Sequence, residues 1–148
     1  MKLREDDKKL IDALVQRGYL DRSFEIMVNQ FIEKWNVRVF DMILETRIVD
    51  QKKLADLISE SFGFERREQF EHMPAAVETV PRKFLQDWFC YFIPGQDSED
   101  YIVVANPVDD NFHEALKKLD LKKVKIAVSE LGTIKKILHE NYLLSEVL

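Results

Sequence analysis

The sequence writes one eleven-residue phrase twice, and that repetition limits the possible folds more than any other feature. Residues 11–21, IDALVQRGYLD, return twenty-nine positions later as residues 40–50, FDMILETRIVD, without a gap. Asp12 matches Asp41, Leu14-Val15 matches Ile43-Leu44, Leu20 matches Val49 and Asp21 matches Asp50. Phe24 and Val28 follow the first copy as Leu54 and Ile58 follow the second, offset by one residue. A repeat of this length is usually one supersecondary unit used twice, neither copy burying its apolar face alone. Two copies are too few for a solenoid, so the reading is a helical pair of pairs.

The local signals agree. Leu10, Leu14 and Val15 recur at helical spacing behind REDDKK, which puts acids in the first turn where the helix dipole favours them. Gly18 ends that helix, Asp21 caps the next, and Phe24, Met27, Val28, Phe31 and Ile32 are its expected buried stripe. The second copy repeats the plan with Val39, Phe40, Ile43 and Leu44, then Asp50 as cap, then Leu54, Leu57, Ile58 and Phe62, stopped by Gly63.

Beyond Phe64 the texture changes. Residues 64–79 have mixed charge and no clean period and read as a traversing connection. Pro81 suits the first turn of a short helix to about Gln86, because its missing N–H would be unpaired there. WFCYFI, residues 88–93, is apolar on both faces and reads as a strand covered on both sides. Pro94-Gly95 and QDSED make a hairpin turn into a second strand at 101–105, which Asn106-Pro107 breaks. Asp109 or Asp110 caps a helix with Phe112, Ala115, Leu116 and Leu119 inward. Residues 124–128 alternate with one wetter face and read as a strand near an edge, and Ser129 caps a last helix carrying Ile134, Ile137, Leu138 and Tyr142. The expected fold class is α+β. A helical subdomain of two tandem helix-pair repeats, residues 1–64, packs on a small α/β subdomain, residues 65–148, with the order β-hairpin, helix, strand, helix. Its strand–helix–strand unit should be parallel and cross over right-handed.

Composition bounds function. The chain has 148 residues, enough for one domain, and a net charge of −5, so as a whole it is not built to hold nucleic acid. A single cysteine, Cys90, forms no internal disulfide, which fits a reducing compartment and a cytoplasmic location. No apolar run approaches the roughly 20 residues of a membrane span. The four glycines, Gly18, Gly63, Gly95 and Gly132, begin no GxxxxGK[ST] loop, so no ATPase activity is expected of this chain. His72, His113 and His139 have no metal-ligand spacing, and neither a metal nor another cofactor is expected. Cys90 inside a covered strand reads as an inert core thiol. Asp12 and Asp41 are explained by the repeat itself rather than as a catalytic pair, and no constellation supports a small enzyme. Trp35, Phe64, Phe70 and Met73 are expected around the join of the halves.

The order of parts resembles the N-terminal domain of type II secretion and type IV pilus assembly ATPases, the GspE N-terminal or MshEN-like domain, over nearly the whole chain. That family carries two tandem motifs like RLGxxLVxxGxI…L…L…Q and a strand ending in an A-(D/N)-P step. Here Lys9-Leu10 and Arg38-Val39 stand at the RL positions, Leu14-Val15 and Ile43-Leu44 at LV, Gly18 at the later glycine, and YIVVANP at the strand. The resemblance implies a non-enzymatic interaction domain that docks to a membrane-platform partner and is recruited through it to the inner membrane. If the chain is a fragment, the motor lies beyond Leu148; if complete, it is a stand-alone adaptor. Some members bind cyclic di-GMP across the two motifs, which implies Lys9, Leu10, Leu14, Arg38, Val39 and Ile43 as an alternative ligand site. Ile11 and Phe40 stand where motif glycines should, Arg47 replaces the second later glycine, and Ile32 and Ser61 fall at the glutamines. Side chains there project where a base or phosphate would lie, so the departures favour docking. Lys117, Lys118, Lys122, Lys123 and Lys125 form a basic cluster that reads either as a solvated face or as a docking patch for an acidic protein or an anionic membrane.

Overall fold

The computed structural model describes residues 4–68, 80–94, 99–119, 121 and 123–140, with the side chain of Phe24 excepted. Its helices are α1 (Glu5–Gln16), α2 (Arg22–Trp35), α3 (Val39–Thr46), α4 (Gln51–Phe62), α5 (Arg82–Trp88), α6 (Asp110–Lys117) and α7 (Leu131–Leu138). Its strands are β1 (Glu65–Arg66), β2 (Cys90–Ile93), β3 (Asp100–Val104) and β4 (Val124–Val128). The class is α+β, as expected: helices packed on a mixed four-stranded sheet in the order β1-β4-β3-β2.

The helical pairs start where acidic caps allow. Asp21 accepts from Ser23 N–H at α2 and Asp50 accepts from Lys53 N–H at α4, so each side chain satisfies an otherwise orphaned donor. The turns inside the pairs also correspond. Gly18 and Arg47, twenty-nine positions apart, both take left-handed backbone, at φ 77° and φ 56°. Glycine does this freely, and arginine only against its Cβ.

One buried cluster runs through the molecule, from Leu10, Leu14, Val39 and Ile43 through Leu54 and Ile58 to Leu85, Phe92, Ile102, Phe112 and Ile134. Within the sheet, β2 and β3 are antiparallel with Cys90 opposite Val104, and β3 and β4 are parallel with Asp100 beside Val124.

Four local expectations are corrected. Residues 65–66 are not pure connection: they form β1, which pairs in parallel with β4, Glu65 beside Ala127. In consequence β4 lies between two strands rather than at the edge. Trp88 closes α5 instead of opening a strand, and Phe89 turns the chain into β2 with φ 48°. Ser129 does not cap α7. That helix begins after Glu130, whose side chain makes no cap bond, and Glu68 supplies the carboxylate: it accepts from Glu130 N–H and from the Ser129 and Thr133 hydroxyls. Cys90 is buried as expected, and burial pushes its thiol pKa far up, which keeps it un-ionised.

The fifth correction concerns α2. Of the described side chains in its expected stripe, Val28 and Ile32 are buried, while Met27 is 59% and Phe31 40% exposed; Ile26 and Trp35 are exposed at 65% and 59%. Met27, Phe31 and Trp35 fall at i, i+4 and i+8 on the outer side of the helix. Trp35 therefore packs on Phe31 and Lys34 at the surface and not at the join of the halves. Phe64 does lie at the join, stacked against His113. Phe70, Met73, His72 and Tyr142 lie outside the described residues.

Candidate functional site

Two consecutive acids at the start of α1 organise the region where the halves meet. Asp6 and Asp7 are both buried, an expensive placement for carboxylates without partners. They are fully engaged. Arg38, just ahead of α3, donates from Nη2 to Asp6 at 2.6 Å, from Nε to Asp7 at 3.0 Å and from Nη1 to Asp109 at 3.3 Å. Asp6 also accepts from Asp110 N–H at 3.0 Å and Asp7 from Val39 N–H at 3.4 Å. Each acid thus binds the N-terminus of a different helix, α6 and α3, where backbone donors and the dipole welcome negative charge. Asp109 itself accepts from Asn111 N–H, as the expected cap of α6.

The acids titrate in opposite directions. Burial opposes ionisation of Asp6, but the Asp110 N–H and Arg38 outweigh it and hold its pKa below the ordinary value. At Asp7 burial prevails over the Arg38 bond, and its pKa is raised. For Arg38 burial is outweighed by its bonds to Asp7 and Asp6, so its pKa rises and it stays charged.

Beside this hub opens a cleft of about 270 Å³ between α3, the end of α5 and the ends of β3 and α7. Arg38, Asp41, Asp87 and Asp109 supply its charge, and Phe40, Trp88 and Phe89 its aromatic walls. Asp41 is exposed on its outer side, yet desolvation of its carboxyl raises its pKa, with Arg38 opposing and Asp109 and Asp7 adding to the rise. Asn106, of the Ala-Asn-Pro step, also lines the cleft, and its Oδ1, an inaccessible atom, has no hydrogen-bond partner among the described residues.

The structure places the six motif residues in different settings. Leu10, Leu14, Val39 and Ile43 are core residues, Lys9 is exposed on α1, and Arg38 is held by three carboxylates. Of the basic cluster, Lys117, Lys118, Lys123 and Lys125 are exposed; Lys117 pairs with Glu114 at 3.5 Å and Lys125 with Glu99 at 3.7 Å. Lys122 lies outside the described residues. His113 Nε2 donates to Pro107 O, and His139 is exposed. Sequence reasoning singled out Arg38 and Asp109 but not their meeting, and it read Asp6 and Asp7 only as first-turn acids. Their spacing from Arg38 follows no period, so only the fold joins them.

The MshEN domain model matches residues 61–148. The chain accordingly belongs to the MshEN domain family. Among solved structures it is similar to the N-terminal domain of XpsE, with TM-score 0.77 at 17% identity, covering 96% of this chain and 99% of that one. It is also similar to MshE solved with cdg, with TM-score 0.75 at 15% identity, covering 90% of this chain and 98% of that one. At these identities the likeness is one of fold. No curated protein sequence matches the chain significantly.

Proposed function

We propose that the chain is a non-enzymatic docking domain of a type II secretion or type IV pilus ATPase system, acting in the cytoplasm and held at the inner membrane by a platform protein. The observation that carries this reading is the state of Arg38. The arginine at the family's motif position is already shared among Asp6, Asp7 and Asp109, so it has no free fork for a phosphate or guanine. Ile11 and Phe40, which stand at the motif glycine positions, are buried core side chains, so the chain lacks the bare backbone that those glycines supply.

The exposed face of α2 supports docking. A contiguous apolar stripe on a surface helix suits a partner's groove, where anchors at i, i+4 and i+8 are buried together. On this reading the occupant is the cytosolic part of the platform protein. The basic cluster on α6 and β4, Lys117, Lys118, Lys123 and Lys125, supports the docking role less, since two of its members are already paired.

Cyclic di-GMP sensing is the second reading, favoured by the likeness to MshE solved with cdg. Titration calorimetry of the purified chain with cyclic di-GMP, and separately with the platform protein's purified cytosolic part, decides between them. Docking predicts binding of the latter that weakens at least tenfold in Phe31→Asp, with no heat from the dinucleotide. Micromolar heat from the dinucleotide, or platform binding indifferent to Phe31→Asp, overturns the reading.

A further inference from the structure

The uncovered stripe on α2 has a symmetry that a surface for a foreign partner does not need. Phe31 stands at its centre, with Met27 about one helical turn before it and Trp35 about one turn after, all three exposed. Turned end for end about Phe31, the stripe lies on itself. Met27 of one copy meets Trp35 of the other, and the two Phe31 rings meet at the axis. A two-fold contact asks for such a patch, since it sets each residue i against j and j against i. The pairs are favourable ones, a thioether beside an indole and ring beside ring.

Charge neither opposes this pairing nor calls for a different occupant. Arg22 is engaged by Asp12 at 3.6 Å and by Glu25 at 3.2 Å, and Lys34 lies over the Trp35 ring at 5.5 Å. About an axis at Phe31, Glu33 falls opposite Asn29 and Lys34 opposite Val28, so like charges are not set against each other. The net charge of −5 repels two copies at a distance, but physiological salt screens that repulsion beyond about 8 Å.

Area sets the strength. Met27 is 59%, Phe31 40% and Trp35 59% exposed, which at about 200 Å² for a large side chain leaves roughly 300 Å² on each copy. Two copies bury roughly 600 Å² of it, and with apolar atoms making up about 60% of an interface the whole contact is on the order of 1,000 Å². That is the lower bound of a specific interface and belongs to reversible association.

We propose that free copies of the chain pair antiparallel through α2, about a two-fold axis at Phe31, and that a docking partner displaces the second copy from Met27, Phe31 and Trp35. The displacement rests on the docking reading above; the pairing does not.

The test is sedimentation equilibrium of the full chain from micromolar to millimolar concentration, with 15N spectra over the same range. The expected result is a mass that climbs from 17.5 kDa toward twice that value, with the Trp35 indole N–H shifting as it climbs and the Trp88 indole staying in place. Phe31→Asp should weaken pairing at least tenfold. Met27→Lys and Trp35→Glu should each be monomeric alone and associate when mixed, because the axis sets position 27 of one copy against position 35 of the other. The proposal is overturned by a chain that stays monomeric throughout, by a Phe31→Asp variant that pairs as the parent does, or by a mixture no more associated than its components. Adding the platform protein's cytosolic part should give a one-to-one complex, and a complex that keeps the two copies paired overturns the displacement. A monomeric chain whose platform binding still depends on Phe31 sinks the pairing and spares the docking reading. Pairing lost in Phe31→Asp with platform binding unchanged does the reverse.

Discussion

Arg47 shows how a single residue carries an avoidable cost. It occupies the left-handed turn that Gly18 occupies one repeat earlier, and its backbone N–H still closes the end of α3 on Ile43 O. The Cβ clash of a left-handed residue costs about 1 kcal/mol, and glycine removes it. Arg47 is exposed and makes no ion pair among the described residues, so little is lost with its side chain. Arg47→Gly is expected to stabilise the chain by about 1 kcal/mol, raising Tm by roughly 2–4 °C at this size, as scanning calorimetry reads it. Gly18→Ala should move Tm the other way by a similar amount. Nothing stands within 4 Å of a Cβ at Gly18, so that loss is conformational rather than steric.

At the scale of elements, the decisive structure is the junction where α1 holds the starts of α3 and α6 through one arginine. Arg38→Ala leaves Asp6 and Asp7 buried without their counter-charge, and breaking a buried pair in this way costs about 3–5 kcal/mol. Urea unfolding should show that loss at neutral pH, with Arg38→Lys recovering only part of it, because an ammonium does not span three carboxylates. Acid resolves the two acids by sign. Asp6, held low, contributes stability present above its ordinary 3.8 and lost as pH falls through its lower folded value. Asp7, held high, contributes stability present below 3.8 and lost as pH rises through its folded value. Acidification from neutrality therefore relieves Asp7 first and strips Asp6 only below pH 3.8. A wild-type urea midpoint that gains nothing relative to Asp7→Asn as pH falls from 7 toward 4 would contradict this order. The elements themselves were largely legible, because apolar period and caps such as Asp21, Asp50 and Asp109 are local signals. What was hidden is nonlocal. Glu68 caps α7 from 62 positions away in sequence and Asp6 reaches Asp110 N–H across 104, and two residues of β1 are too few to carry a period. Met27 and Phe31 of the α2 stripe face solvent for the same reason: periodicity tells which residues share a face, not whether anything covers it.

For the molecule as a whole, the question is whether helices and sheet are one cooperative body. The buried cluster is continuous from Leu10 in α1 to Leu138 in α7, and polar ties add to it: Asp6 to Asp110 N–H, Gln51 to Gly132 N–H and Arg66 to Asp56. The two tryptophans make the test direct. In Trp35→Phe the remaining fluorescence comes from Trp88, packed on Phe84 and Phe112 where the cleft meets the core, while far-UV circular dichroism is dominated by the helices. One body predicts that both signals lose the native state at the same urea concentration, with a single slope appropriate to 148 residues. Two separated transitions would mean that the helical pairs unfold independently of the sheet, and the junction at Arg38 would then be a contact between bodies rather than the centre of one.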